Sequence, residues 1–159
     1  MSGAEINVHE KYIPLFQGDT RYYIVTGGRG SGKSFAVNLF LNYLTYEDGH
    51  KVLFTRYTMT SAHTSIIPEF VDKIDLMGAS DDFRVTRDEI INMHTQSLIM
   101  FKGIKTSSGN QTAALKSLAG VTTFVVDEAE ELVDEEIFDK IDLSVRSNKN
   151  TNRVVLILN

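Results

Sequence analysis

"RYYIVTGGRGSGKSFAVNLFLNYL", Arg21 to Leu44, is the stretch from which the fold can be read. Arg21 to Thr26 is rich in β-branched and aromatic residues and reads as a strand. From Lys33 to Tyr46, the residues Phe35, Leu39, Phe40, Tyr43 and Leu44 recur at helical spacing. The eight residues from Gly27 to Ser34, at the junction of strand and helix, hold four glycines, two serines, one arginine and one lysine. Gly27, Gly32, Lys33 and Ser34 satisfy G-x-x-x-x-G-K-[ST]. Glycines let backbone N–H groups turn inward around phosphate oxygens, where side chains would clash. The following helix aims its N-terminus at the same anion. Lys33 then reaches the β- and γ-phosphates, and Ser34 ligates Mg2+. The candidate nucleotide-binding residues are Gly27, Gly28, Arg29, Gly30, Ser31, Gly32, Lys33 and Ser34.

A phosphate loop alone does not specify hydrolysis. "TTFVVDEAEEL", Thr122 to Leu132, supplies the second half of the site. Asp127 ends a buried strand, where open α/β sheets place their ligand chemistry. It would hold Mg2+ through water, opposite Ser34. Glu128 would orient and polarise the attacking water. The competing reading makes Asp127 a helix cap, with Glu130 and Glu131 favouring the helix N-terminus. Asp134, Glu135, Glu136 and Asp139 read as a solvated helix face. The four histidines show no ligand spacing and are assigned no chemistry.

The rest of the chain alternates strands and helices. "KVLFTRY" is a short buried strand, and Ser61 to Met77 is helical, kinked or split by Pro68. Phe83 to Phe101 reads as two strands, "FRVTRDEIINM" and "SLIMF", joined around His94 to Gln96. Lys102 to Asn110 is a polar loop, "ELVDEEIFDKIDLSV" a helix and "RVVLILN" a final, interior strand. This order predicts a mostly parallel α/β sheet flanked by helices, with a β-hairpin insertion. The 159 residues form one domain, without repeat or linker. A net charge of −5 argues against broad electrostatic coating of nucleic acid, though not against a local basic surface. The absence of cysteine excludes disulfides and thiolate zinc. No apolar run is long enough for a membrane span, and the N-terminus lacks the pattern of a signal peptide. The cytoplasm is the expected location.

Motif details separate the phosphate-loop classes. A GTPase shows D-x-x-G and N-K-x-D. Here Glu128, Ala129 and Glu130 follow Asp127, and Thr151 stands where aspartate must read guanine after Asn148 and Lys149. A small-molecule kinase does not need the Asp127–Glu128 pair, because its substrate rather than water is the nucleophile. The pair favours an ATPase that converts hydrolysis into movement.

"RYYIVTGGRGSGKSFAVNLFL", "KVLFTRY", "LKSLAGVTTFVVDEAEEL", "IDLSVRS" and "VVLILN" follow one another as in a known family. In order and spacing they resemble the ATPase half of the large terminase subunit of tailed bacteriophages. The resemblance implies a P-loop NTPase fold of the additional-strand, catalytic-glutamate type, using ATP and Mg2+. It implies a motor that drives double-stranded DNA into a procapsid in the host cell cytoplasm. It also implies a homo-oligomeric ring on the portal protein, with a small terminase subunit recognising the DNA. On this resemblance Lys33 and Ser34 are the phosphate-loop pair, Asp127 the metal-side acid and Glu128 the catalytic glutamate. Asn159 falls where the family couples γ-phosphate state to movement. Arg29 resembles an arginine that stabilises transition-state charge. Arg146 is a second finger candidate, in cis or on a neighbouring subunit, and Arg56 faces either DNA or nucleotide. "YIPLFQGDTRYY" would contribute adenine contacts through Gln17 and Tyr22. Family members continue into a ribonuclease-H-like nuclease, so residues 1–159 are expected to be an ATPase domain cut short on its carboxyl side, without the nuclease. A helicase-like ATPase of another pathway, and a nucleotide-binding assembly module with little turnover as a fragment, stand as alternatives.

Overall fold

The computed structural model describes residues 5–59, 62–105, 119–132, 134–147 and 150–159. Its strands are β1 (Tyr22–Thr26), β2 (Lys51–Arg56), β3 (Phe83–Val85), β4 (Glu89–Asn92), β5 (Leu98–Gly103), β6 (Thr123–Asp127) and β7 (Arg153–Leu158). They form one sheet in the order β1-β7-β6-β2-β5-β4-β3. The pairs from β1 through β5 are parallel, and β4 and β3 add on antiparallel. The α-helices are α1 (Pro14–Gln17), α2 (Lys33–Leu44), α3 (Ala62–Leu76) and α4 (Glu135–Ser144). The mostly parallel sheet and the interior position of β7 agree with the sequence.

Apolar side chains leave both sheet faces, and each face has its own core. One cluster joins Val52, Phe54, Val125 and Val155 to Val37, Leu41, Ile66 and Phe70 of α2 and α3. The other joins Leu53, Phe124 and Val126 to Ile141 of α4 and to Val145. Because both faces are covered, β6 is buried at all five positions, which explains its continuous apolar sequence. The edge strand β1 buries Val25 but exposes Tyr22 and Ile24.

Three sequence readings need correction. "FRVTRDEIINM" is not one strand. The polar run Thr86–Arg87–Asp88 turns the chain between β3 and β4, with the Thr86 hydroxyl accepting from Glu89 N at 3.1 Å. The expected hairpin at His94 to Gln96 does form, closed by Gln96 N donating to Asn92 O at 2.8 Å. Together they make a three-strand antiparallel extension. Second, "ELVDEEIFDKIDLSV" is not one helix. Ala129–Glu131 is a separate 3-10 turn, and α4 begins only after Asp134, whose carboxylate accepts from Glu136 N at 3.0 Å. Third, of the two readings at Pro68, the split does not occur: α3 is a single helix that contains it. The polar loop expected from Lys102 lies, beyond residue 105, outside the described residues.

Phe70 is fully buried, with its ring centroid 5.3 Å from that of Phe54 and 5.1 Å from that of Phe101. Phe70→Ala is expected to cost about 3–5 kcal/mol of stability. Denaturant unfolding checks this, and a loss under about 1 kcal/mol would contradict the packing.

Candidate active site

Parallel pairing puts the carboxyl ends of β1, β7, β6 and β2 along one edge of the sheet. The glycine loop follows β1, Asn159 follows β7, Asp127 and Glu128 end β6, and Arg56 ends β2. With neighbouring strands about 4.8 Å apart, the ends of β1 and β6 lie about 10 Å apart, with Asn159 between them. Four segments far apart in sequence are thus gathered into one place.

The loop encloses a cleft of about 380 Å3, lined by residues 28–35 and Asn159. Gly32 is the N-cap of α2 and takes a left-handed backbone, with φ of 83°. Gly27 is packed tightly: a Cβ there would lie 2.4 Å from Ser31 Oγ and 3.0 Å from Tyr12 Oη. Lys33 is 8% exposed, and its ammonium donates to Gly27 O and to Asn159 Oδ1. Asn159 Nδ2 in turn donates to Glu130 Oε1 at 3.2 Å.

On β6, Asp127 is buried and uses both oxygens. Oδ2 accepts from Arg56 Nε at 2.8 Å, and Oδ1 accepts from Glu128 N at 3.0 Å. Asp127 therefore does not cap a helix, since Asp134 caps α4. Glu128 has a left-handed backbone, φ 53° and ψ 46°, which costs a non-glycine residue about 1–2 kcal/mol. That twist ends the strand abruptly at the sheet edge. Such strain tends to persist where function holds it. Ser34 and Asp127 offer hard oxygens. Among the described residues no group of three His, Cys, Asp or Glu could cage a cation. This donor set fits Mg2+, which is commonly held by few protein oxygens together with substrate phosphates.

The arginines separate clearly. Arg29 is exposed on the loop, lines the cleft, and has no side-chain partner among the described residues. Arg56 pairs with Asp127, its Nε 2.8 Å from Oδ2. Arg146 follows α4 at the opposite end of the sheet. Its neighbour Val145 accepts from Arg21, at the amino end of β1, about 16 Å of strand from the loop. Arg146 cannot reach this cleft within one chain. Gln17 is exposed at the end of α1, and the Tyr22 hydroxyl donates to Asp142 at 2.8 Å. Neither lines the cavity of about 260 Å3 beside β1, which is formed by Lys11, Tyr12, Pro14, Leu15 and residues 23–26. Sequence reasoning missed two residues that touch the site. Tyr12 lay within a segment noted for other residues, and Glu130 was seen only as a helix-end charge.

A model of the family "Phage terminase large subunit" matches residues 19–159. The chain belongs to that family. Solved terminases and packaging motors share its fold. The HK97 bacteriophage large terminase superposes with a TM-score of 0.69 at 10% identity, over 99% of this chain and 34% of that one. The large terminase of a thermophilic bacteriophage, solved in complex with ADP, gives 0.62 at 12% identity, over 94% and 37%. The Phi-29 viral genome packaging motor assembly gives 0.62 at 15% identity, over 96% and 46%. The chain thus spans about a third of the length of the two large terminases. No curated protein matches. Among the described residues no helix is long and apolar enough to cross a membrane.

Two glycines of this terminase loop should respond differently to alanine. At Gly32 an added Cβ meets only Tyr12 Cε2 at 4.0 Å, so backbone conformation alone opposes it. At Gly28 nothing lies within 4 Å and the φ is not positive. Gly32→Ala is expected to lower stability by about 1–2 kcal/mol, and Gly28→Ala to leave it within about 0.5 kcal/mol. Denaturant midpoints of the two variants, measured without ligand, check this. Equal midpoints would contradict the left-handed cap.

Proposed function

We propose that this chain is the Mg2+-dependent, ATP-hydrolysing motor domain of a terminase large subunit. Hydrolysis would drive translocation of double-stranded DNA into a procapsid. One observation carries the reading: the phosphate loop, Asp127, Glu128 and Asn159 share one sheet edge, in a chain of this family. Loop amides and Lys33 would take the phosphates, with Lys33 exchanging the Asn159 oxygen for phosphate oxygens. Asn159, released on one side, keeps its bond to Glu130, so the state of the phosphates is passed to the β6–α4 turn. Ser34 and Asp127 would hold Mg2+, which neutralises charge on the phosphate oxygens. Arg56 fixes one carboxylate oxygen of Asp127 and so orients it. Glu128 would position the attacking water and accept its proton.

Arg29 is the finger candidate within the chain, because it is free to follow the γ-phosphate. Arg146 could serve only a neighbouring subunit. The partners that fit this function are double-stranded DNA, the portal protein, a small terminase subunit and further copies in a ring. Their meeting place would be the host cell cytoplasm.

Glu128→Gln tests the hydrolytic role. It should bind ATP as the wild type does and turn it over about a hundredfold more slowly, the scale expected for a lost general base. Normal turnover in the parent protein would place water activation elsewhere. Arg29→Ala should lower turnover by about a thousandfold while affinity for ATP falls much less. Arg29→Lys should not restore it, because a point charge cannot reproduce the guanidinium fork. Parallel measurements of turnover and nucleotide affinity decide. Equal losses in both, or rescue by lysine, would remove Arg29 from the transition state.

A further inference from the structure

The phosphate loop is held from behind as well as lined from within. The segment before β1 folds back over the start of α2. Glu10–Tyr12 forms a 3-10 turn, Leu15 is buried in the core, and Phe16 packs edge-on against Phe40 of α2 at 5.5 Å. This anchoring carries Tyr12, 4% exposed, to the underside of the loop. Its hydroxyl donates to the Ser31 carbonyl at 3.3 Å and lies 3.1 Å from Ser31 Oγ, which can donate back. Tyr12 lines the cavity beside β1 and not the loop cleft, whereas Ser31 and Gly32 line the cleft. The loop peptide therefore lies between the two spaces.

The geometry of a peptide bond gives this contact a consequence. In a planar trans peptide the carbonyl and the following N–H point in opposite directions. Tyr12 draws the Ser31 carbonyl to the rear. The Gly32 N–H of the same plane then points forward, toward the cleft. Gly32 has the left-handed freedom that such a turn needs. Without the hydroxyl, this glycine-flanked peptide could rotate and withdraw its donor.

We propose that Tyr12 is a positioning residue for phosphate binding: it pins the Ser31–Gly32 peptide so that the Gly32 N–H is presented to the anion. The proposal rests on the nucleotide reading of the cleft. It assigns Tyr12 to the phosphates and not to the base, although Tyr12 also borders the neighbouring cavity.

Tyr12→Phe removes one oxygen and keeps the ring that fills the space. Affinities for ATP and for inorganic tripolyphosphate, measured by calorimetry on the purified chain, test the assignment. Tyr12→Phe should weaken both ligands by the same factor, about fivefold, the scale of one hydrogen bond. The melting temperature without ligand should stay within about 2 °C of wild type. Ser31→Ala leaves the carbonyl in place and should cost less than Tyr12→Phe. Undiminished affinity for tripolyphosphate in Tyr12→Phe would overturn the proposal, whether ATP weakens or not. So would a Ser31→Ala loss as large as that of Tyr12→Phe, or a fall in melting temperature beyond that window. Wild-type protein that takes up neither ATP nor tripolyphosphate would overturn the nucleotide reading itself, and this proposal with it.

Discussion

A buried ammonium must find oxygens, because an unpaired charge in a protein interior is costly. Lys33 finds two, the Gly27 carbonyl and the Asn159 side chain. This pairing ties the glycine loop after β1 to the end of β7, and through Asn159 to Glu130. The Arg56–Asp127 ion pair does the same for β2 and β6. The sheet edge thus carries two polar ties, in which Lys33 and Arg56 are each held by protein oxygens. A phosphate chain binding there would compete with those oxygens for Lys33. Such exchange is a physical route from ligand state to backbone position.

Strand order makes both ties possible. β1 and β6 are separated by 96 residues, from Thr26 to Thr123, yet only β7 lies between them in the sheet. Parallel pairing requires each strand to return through a crossover, so all four carboxyl ends face the same way. α2 packs on one face and α4 on the other, closing both cores. The antiparallel extension of β3 and β4 lies at the far edge, beyond β5, and leaves the site untouched. Its ties are local. The Tyr46 hydroxyl and the His94 ring both bond Asp82, which holds that carboxyl below its usual range.

The parts of the molecule that depend on local pattern could be read directly. The motif from Gly27 to Ser34, the buried run before Asp127 and the helical spacing after Lys33 each carry their signal within a dozen residues. The strand break at Thr86 and the late start of α4 at Asp134 were weaker, because single polar caps decide them against an otherwise continuous propensity. The long-range contacts were not legible. Nothing in the spacing of Tyr12 and Ser31, or of Arg56 and Asp127, marks them as partners. Their meeting follows from a chain path that only the folded sheet defines. The same limit applied to Arg146, whose place at the far end of β1 follows from the direction of α4.

The central claim is that this sheet edge is a nucleotide site in which Lys33 is lent to Asn159 until phosphate arrives. A structure of the chain with a non-hydrolysable ATP analogue and Mg2+ tests it most directly. The account predicts the triphosphate in the loop cleft, with Lys33 Nζ on its oxygens and its bond to Asn159 gone. An analogue bound elsewhere, or bound in the cleft with Lys33 still on Asn159, would contradict it.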